Sequence, residues 1–270
     1  MTPSDFAYLS GLVKERSGLS LTQDKIYLLE SRLAPVARKW GANGLNELTR
    51  LLKGPRNERL LVEVTEAMTT NESFFFRDRT PFELFKSHVA PELMANPDRQ
   101  RTKQMRIWSA ACSSGQEAYS LVMLIGEELG WRDWKFDIVG SDISQEMVNR
   151  AKSGLYSQFE VQRGLPVKLL MKHFKKEDAQ WRLNDATRQK AQFRLFNLMD
   201  DPARLGKFDV VFCRNVLIYF DPPTKGMVLE RIARTMPSDG FLFLGGAETI
   251  LGVSDKFKAV PGKRGVYQKV

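Results

Sequence analysis

The sequence predicts an α/β protein: a largely parallel sheet with helices on both faces, preceded by a small all-α domain and carrying an inserted antiparallel β-subdomain. Three observations predict it. Residues 1–80 place apolar side chains at helical spacing. Residues 105–151 and 208–244 alternate short buried-type strands with helices, and residues 155–195 break that alternation with runs of polar and apolar residues in turn. The expected boundaries are 1–80 for the helical domain, 81–270 for the sheet domain and about 155–196 for the subdomain within it.

In the helical domain, Asp5 is placed to cap a first helix that Gly18 ends. Thr22 to Trp40 is the clearest amphipathic segment, with Ile26, Leu29, Leu33, Val36 and Trp40 on one face. Lys25, Arg32 and Lys39 lie seven apart and form a basic stripe beside that face. Leu45 to Leu52 and Glu58 to Met68 add two more helices. Thr80-Pro81 opens a further helix, Phe82 to Glu92, and the polar stretch Asn96 to Gln104 reads as a linker or exposed loop.

The sheet domain begins with a strand at Met105 to Ala111, the turn Cys112-Ser113-Ser114-Gly115 and a helix from Gln116 to Leu129. A second strand, Lys135 to Ser141, ends in Asp142 and is followed by a helix from Ser144 to Ala151. Phe208 to Cys213 and Phe241 to Leu244 are buried-type strands flanking a helix from Pro223 to Met236. Between them, a helix at Val167 to His173 precedes strand-like runs at Trp181 to Asp185 and Gln192 to Phe196, which are read as the subdomain.

Composition bounds the function. The 270 residues are 43% hydrophobic and 27% charged, which argues against a disordered or fibrous chain. No apolar run approaches the roughly 20 residues of a membrane-spanning helix, and Met1 to Asp5 lacks a secretory pattern, so a cytoplasmic protein is expected. Two cysteines and two scattered histidines make neither a disulfide framework nor a zinc site, and no metal is expected. Of the net charge of +9, +6 falls in residues 151–195, which hold ten basic and four acidic residues. Such a local excess suits an acidic partner or a solvated face.

The strand, glycine turn and helix at 105–129 form the first unit of a nucleotide-binding α/β domain, whose ligands sit beyond the carboxyl ends of the strands. Asp142 closes the next strand, 27 residues after Gly115. Its carboxylate can accept from ribose hydroxyls or cap the helix at 144. Neither G-x-G-x-x-G nor the phosphate-cradling P-loop is present, so a ligand with ribose but no phosphate fits better, S-adenosylmethionine above all.

Three motifs in order make the resemblance specific: Thr69-Thr70-Asn71-Glu72-Ser73-Phe74-Phe75-Phe76-Arg77, Trp108 through Ser120, and Phe212-Cys213-Arg214-Asn215-Val216-Leu217-Ile218-Tyr219-Phe220. The chain resembles the CheR family of chemotaxis-receptor glutamate O-methyltransferases over nearly its whole length. The resemblance implies a Rossmann-like domain that binds S-adenosylmethionine, yields S-adenosylhomocysteine and methylates glutamate carboxylates of methyl-accepting chemoreceptors. It implies cofactor contacts from Asn71, Ser73 and Arg77, and from Glu117 near the methionyl amino group. It also implies Asp142 at the ribose, Asn197 and Leu198 around the adenine, and Arg214-Asn215 in the pocket floor. Tyr219 is implied near the transferable methyl, and Arg77 and Tyr219 are the expected catalytic pair. Ser73 stands where the family often has Thr, and Gln116-Glu117-Ala118 where Glu-Glu-Pro is common; the hydroxyl and the acid are kept.

The chemistry agrees. A glutamate nucleophile has an ordinary pKa of about 4.3 and is ionised at neutral pH, so no general base is needed, and no histidine lies in these motifs. Arg77 can orient a carboxylate, and Tyr219 can give one hydrogen bond. The basic stripe at Lys25, Arg32 and Lys39 is expected to meet the acidic methylation helices of receptors. Phe74, Phe75, Phe76 and Trp108 are expected to pack; Cys112, Cys213, His88 and His173 are expected to be structural. A nucleic-acid methyltransferase is disfavoured because Asp221-Pro222-Pro223-Thr224 has the wrong first residue and lacks the aromatic of a flipped-base loop. A non-catalytic sensor would more often lose Arg77 or Tyr219. Some family members add a receptor's C-terminal pentapeptide to the subdomain edge and carry a glycine-containing insertion before its first strand. Here Lys175 to Gln180 is read as a short loop without glycine, so independence from such a peptide is expected.

Overall fold

A computed structural model of the chain describes residues 1–129 and 133–270. The chain divides into two compact units, residues 1–70 with 219–224 and residues 71–218 with 225–270.

The first unit is built from α1 (Pro3–Ser17), α2 (Ile26–Lys39), α3 (Leu45–Lys53) and α4 (Glu58–Ala67). Leu9, Val13, Leu29, Leu33, Leu48 and Val64 are fully buried at its centre. The cap of α1 is Thr2 rather than Asp5. Thr2 Oγ1 accepts from the Asp5 N–H at 3.1 Å, while the Asp5 carboxylate takes the Thr2 N–H, so Asp5 is the third helical residue of a capping box. Gly18 ends the helix at φ +79°, a left-handed conformation that glycine adopts without Cβ strain.

Two members of the basic stripe have partners inside this unit. The Arg32 guanidinium donates to the carbonyls of Met68 and Thr69 at 2.7 and 3.1 Å and to Thr70 Oγ1 at 2.9 Å, tying down the exit of α4. Lys39 pairs with Glu63 at 2.9 Å, and Lys25 is exposed. Residues 219–224 join the bundle through a bridge between Leu19 and Phe220, a bond from the Ser20 N–H to the Tyr219 carbonyl at 2.9 Å, and an ion pair of Lys14 with Asp221 at 2.6 Å.

The units meet in sequence at Thr70/Asn71, ten residues before the expected boundary. Arg32 holds residues 68–70 to the bundle, whereas the Asn71 carbonyl accepts from Ser113 Oγ at 2.6 Å and Phe75 is wholly buried in the second core.

The second unit opens with α5 (Thr80–Leu84), which runs through a π-turn at Phe85–Val89 into α6 (Ala90–Ala95). The stretch read as a linker is instead a helix, α7 (Pro97–Thr102). Asn96 caps it, Pro97 starts it, and Arg99 fixes it by ion pairs to Asp209 at 2.6 Å and Asp239 at 2.7 Å. Charge rather than an apolar face anchors this helix, so hydrophobic periodicity does not reveal it.

The elements that follow are β1 (Gln104–Ala110), α8 (Gln116–Leu124), β2 (Lys135–Asp142), α9 (Gln145–Ser153), β3 (Leu155–Ser157), α10 (Gln158–Gln162), α11 (Val167–His173), β4 (Phe174–Glu177), β5 (Gln180–Leu183), α12 (Asp185–Arg188) and β6 (Ala191–Leu195). After β7 (Val210–Cys213) come α13 (Pro222–Arg234), β8 (Phe241–Leu244), β9 (Phe257–Ala259) and β10 (Val266–Lys269). The main sheet has the order β6-β2-β1-β7-β8-β10-β9, parallel through β8 and then antiparallel. Its central strands are buried on both faces, as a sheet covered by helices requires. The α/β expectation with a small antiparallel sheet is borne out.

The subdomain differs in detail. Its sheet is β3-β5-β4, and the run at Gln192 to Phe196 is not part of it. That run is β6, a parallel edge strand paired with β2. Ala191 and Phe193 pack inward while Gln192 and Arg194 face solvent, so an edge strand covered on one face shows the same alternation as an antiparallel one. Nor is Lys175 to Gln180 a loop: Phe174 to Glu177 form β4, and only Asp178-Ala179 make the turn, with Asp178 at φ +50°. Phe75 packs edge-on against Tyr156 of β3 and Phe174 of β4, with ring centroids 5.0 and 5.6 Å away, and joins the subdomain to the main core.

The Lys14 pair gives the first unit an acid-sensitive tie. The Lys14 ammonium, with Thr224 behind it, holds the Asp221 carboxyl at about 2, against an ordinary 3.8. A depressed carboxyl stabilises the fold above its unfolded value, and that contribution is lost as pH falls from 3.8 through about 2. Asp221→Asn is therefore expected to lower the denaturation midpoint at neutral pH but to flatten its decline between about pH 4 and 2. Parallel acid profiles for the two proteins would contradict this.

Candidate active site

Parallel order brings the carboxyl ends of β1, β2, β6 and β7 side by side, and the motifs at 108–120 and 212–220 leave the sheet there, after β1 and β7. The backbone in these loops is unusual. Ala111, Ser113 and Asn215 have φ of +57°, +50° and +59°, and Phe76, Asp78 and Arg79 are also left-handed. Each such residue costs of order 1 kcal/mol unless its surroundings enforce it, and such residues gather at functional sites. Gly115 turns at φ +93°, where an added Cβ would lie 3.0 Å from Ala151 Cβ and 3.2 Å from the Phe193 ring. Glycine is thus required both by angle and by the close approach of α9 and β6.

Asp142 is buried at the end of β2. Its carboxylate accepts from the Ser113 N–H at 2.8 Å and the Ser144 N–H at 3.0 Å. The cap of α9 is Ser144, whose Oγ takes the Met147 N–H, so capping does not account for the acid. Ser113 in turn binds the Asn71 carbonyl, which sets Asn71 beside the Asp142 loop. Asn197 and Leu198 follow β6, the partner of β2, and the Phe196 N–H bonds the Asp142 carbonyl at 2.9 Å. Asn71, Asp142, Asn197 and Leu198 therefore come together at one edge of the strand ends.

Glu117 and Arg214 form the second cluster. The Glu117 carboxylate accepts from Ser109 Oγ at 2.7 Å and from the Arg214 guanidinium at 2.8 Å. Arg214, with 1% of its side chain exposed, also donates to the Arg77 carbonyl at 2.9 Å and to Asp78 at 2.7 Å. Burial pushes the Glu117 carboxyl up, and Arg214 opposes the shift. Arg214 is thus less a lining of a pocket floor than a tie between three motifs. Ser73 and Arg77 are half-buried, and Arg77 donates to the Glu72 carbonyl at 3.0 Å. Tyr219, half-buried, belongs to the first unit.

One residue escaped the sequence reading. Glu248, buried in the loop after β8, accepts backbone N–H bonds from Asn215 at 2.8 Å, Val216 at 3.0 Å, Ile218 at 3.2 Å and Gly245 at 2.6 Å. It holds the strained loop after β7. The sequence signal was an acid beside Gly245-Gly246, just past a strand end.

The other expectations find plain structural places. Cys112 and Cys213 are buried, and burial pushes both thiols well up, away from the reactive thiolate. Trp108 is core and donates to Ser141 Oγ at 2.9 Å. His173 bonds Thr187 at 2.8 Å and Glu127 at 3.2 Å, and His88 lies near Glu92 at 3.5 Å. Among the described residues no group of three or more His, Cys, Asp or Glu is placed to hold a metal, and no helix is long and apolar enough to cross a membrane.

Comparison with known proteins decides the family. Residues 71–266 match the model of the CheR methyltransferase SAM binding domain, and residues 4–69 that of the CheR methyltransferase all-alpha domain. The chain belongs to the CheR methyltransferase family. As a CheR-family chain it is an S-adenosylmethionine-dependent methyltransferase, and its two matched segments meet where the compact units divide. It is 40% identical to chemotaxis protein methyltransferase Cher2 of Pseudomonas putida, over 98% of this chain and 97% of that one. It is 41% identical to chemotaxis protein methyltransferase 1 of Pseudomonas aeruginosa with the same coverage, and 37% identical to a chemotaxis protein methyltransferase of Vibrio anguillarum over 100% and 98%. Among solved structures, the plantazolicin methyltransferase BpumL aligns at 15% identity and a TM-score of 0.39, covering 83% of this chain and 61% of that one.

Glu248→Gln puts an amide where four backbone donors converge. The variant is expected to lose about 1–3 kcal/mol in denaturant unfolding and to lose methyl transfer with it. Native stability in the variant would mean that those donors find other partners.

Proposed function

We propose that this CheR-family chain transfers the methyl group of S-adenosylmethionine to glutamate carboxylates of chemoreceptors, forming glutamate methyl esters. The single observation that carries the reading is the Asp142 carboxylate, buried at a strand end and fixed by two backbone donors, within a segment that matches a SAM binding domain. The residues present fit the cofactor. Asp142 is an acceptor-only group suited to a ribose diol, and Glu117 is an acid suited to an ammonium. Asn71, Ser73 and Arg77 supply contacts from the segment at 71–77, Asn197 and Leu198 bracket the adenine, and Asn215 contributes from the loop after β7. The names of the relatives, chemotaxis protein methyltransferases, support a chemoreceptor as acceptor.

Bound S-adenosylmethionine supplies an electrophilic methyl on a sulfonium. What remains for the chain is positioning: the acceptor oxygen must reach the methyl in line with the bond that breaks, away from water. Arg77 carries a fixed charge that orients a carboxylate, and Tyr219 gives one hydrogen bond without binding the nucleophile so tightly that it is dulled. No proton has to be removed from an ionised glutamate, which agrees with His173 being bonded to Thr187 and Glu127 and with His88 lying outside the motifs. Lys25 and Lys39 present positive charge from the first unit to acidic receptor helices, while Arg32 shapes the exit of α4. Independence from a receptor C-terminal pentapeptide is proposed from the absence of glycine in residues 175–180. The proposed setting is the cytoplasm, with neither nucleic acid nor membrane insertion.

Label transferred from methyl-labelled S-adenosylmethionine to receptor-containing membranes is expected to be released by alkali, as esters are and N-methyl groups are not. Asp142→Ala is expected to weaken cofactor binding by about 1–3 kcal/mol in calorimetry and to reduce labelling. Alkali-stable label would overturn the acceptor, and unchanged affinity in a folded variant would remove Asp142 from the site.

A further inference from the structure

The segment that carries Arg77 is gripped from the subdomain side as well as from the sheet. Arg163 lies on the loop between α10 and α11, and its guanidinium pairs with the Glu72 carboxylate at 2.7 Å. The same guanidinium stacks over the Phe74 ring at 4.3 Å, and that ring also carries the Arg77 guanidinium at 5.4 Å. Arg77 meanwhile donates to the Glu72 carbonyl. Two cations thus share one aromatic ring and one acidic residue. The next residue closes the clasp: Gly164 turns at φ +84°, and an added Cβ would stand 2.1 Å from the Phe75 carbonyl oxygen, a contact no side chain tolerates. Three left-handed residues at 76, 78 and 79 mean that this segment does not hold its shape unaided.

We propose that Arg163 is a positioning residue for Arg77: by pinning Glu72 and one side of Phe74, it fixes the ring and carbonyl against which the Arg77 guanidinium is set. The inference rests on the reading of the 71–77 segment as a cofactor contact. Arg163 itself touches no reacting group; it acts through Phe74 and Glu72. The β-subdomain is then part of the cofactor site rather than an appendage. Loosening the loop at 163–164 reaches the cofactor chiefly through Arg77, which is set against both Phe74 and the Glu72 carbonyl.

A double-mutant cycle on S-adenosylhomocysteine affinity, measured by calorimetry for the wild type, Arg163→Ala, Arg77→Ala and the double variant, tests this. Arg163→Ala is expected to weaken binding about five- to tenfold, and to add less than twofold once Arg77 is already alanine. Arg163→Lys keeps an ion pair with Glu72 but not the planar stack, and is expected to recover part of the loss. Amide hydrogen exchange across 71–77 is expected to quicken in Arg163→Ala with the melting temperature held within a few degrees. Should Arg163→Ala fail to fold, Glu72→Gln opens the same clasp from an exposed residue and is expected to move binding and exchange the same way. Losses that multiply in the double variant, or exchange that does not change, would overturn the proposal. Receptor labelling plays no part in this cycle, so failure of the receptor assignment and failure of the Arg163 role are told apart.

Discussion

The buried Arg214 guanidinium is the interaction on which the site depends. From the end of β7 it reaches the acid at the start of α8, the carbonyl of Arg77 and the carboxylate of Asp78. Three motifs, reached at residues 77, 117 and 214, are thereby fixed to one planar cation. Such a pair is weak evidence for stability, because removing two charges from water costs about what their attraction returns. What it fixes is arrangement. The fork of Arg214 admits few geometries, and with Glu117 on one side and the Asp78 turn on the other the segment at 77–78 has one place to lie.

Around that centre the loops are held by side chains that accept from backbone rather than by secondary structure. Asp142 takes two backbone N–H groups and Glu248 takes four. Each acid reaches a left-handed residue that follows a neighbouring strand, Ser113 after β1 for Asp142 and Asn215 after β7 for Glu248, and supplies the acceptor that the strained backbone needs. Strain at Ser113 and Asn215 is offset by these bonds, and the reward is preorganisation. Carboxylate and amide groups fixed in this way need not be rearranged when a ligand arrives.

The sheet was legible because its strands are uniformly apolar, as in Val210 to Cys213 and Phe241 to Leu244, and its helices are amphipathic. What pattern alone misjudged has physical reasons. α7 has no apolar face because Arg99 and two aspartates anchor it. β6 alternates because it is an edge strand, and β4 was hidden by a turn of only two residues. Of the proposed site residues, Asp142 was visible from its place after a strand, since ligands of open α/β sheets bind beyond strand ends. Glu248 was not, because an acid after Gly245-Gly246 is a weak local signal and its role, accepting backbone N–H groups from a loop thirty residues earlier, is set by the fold. Arg32 read as one charge in a stripe of three. Only the fold shows that its guanidinium is taken up by the carbonyls at the end of α4.

Ordering of the proposed cofactor site by the Arg214–Glu117 pair is read from the stability and S-adenosylhomocysteine affinity of Arg214→Met, Glu117→Gln and the double variant. Arg214→Met leaves a buried acid uncompensated and is expected to lose about 3–5 kcal/mol of stability, with cofactor binding falling at least tenfold. The double variant is expected to regain most of the stability but little of the binding, since the charge is gone while the segment at 77–78 stays untethered. Native affinity in Arg214→Met, or stability losses that simply add in the double variant, would contradict the account.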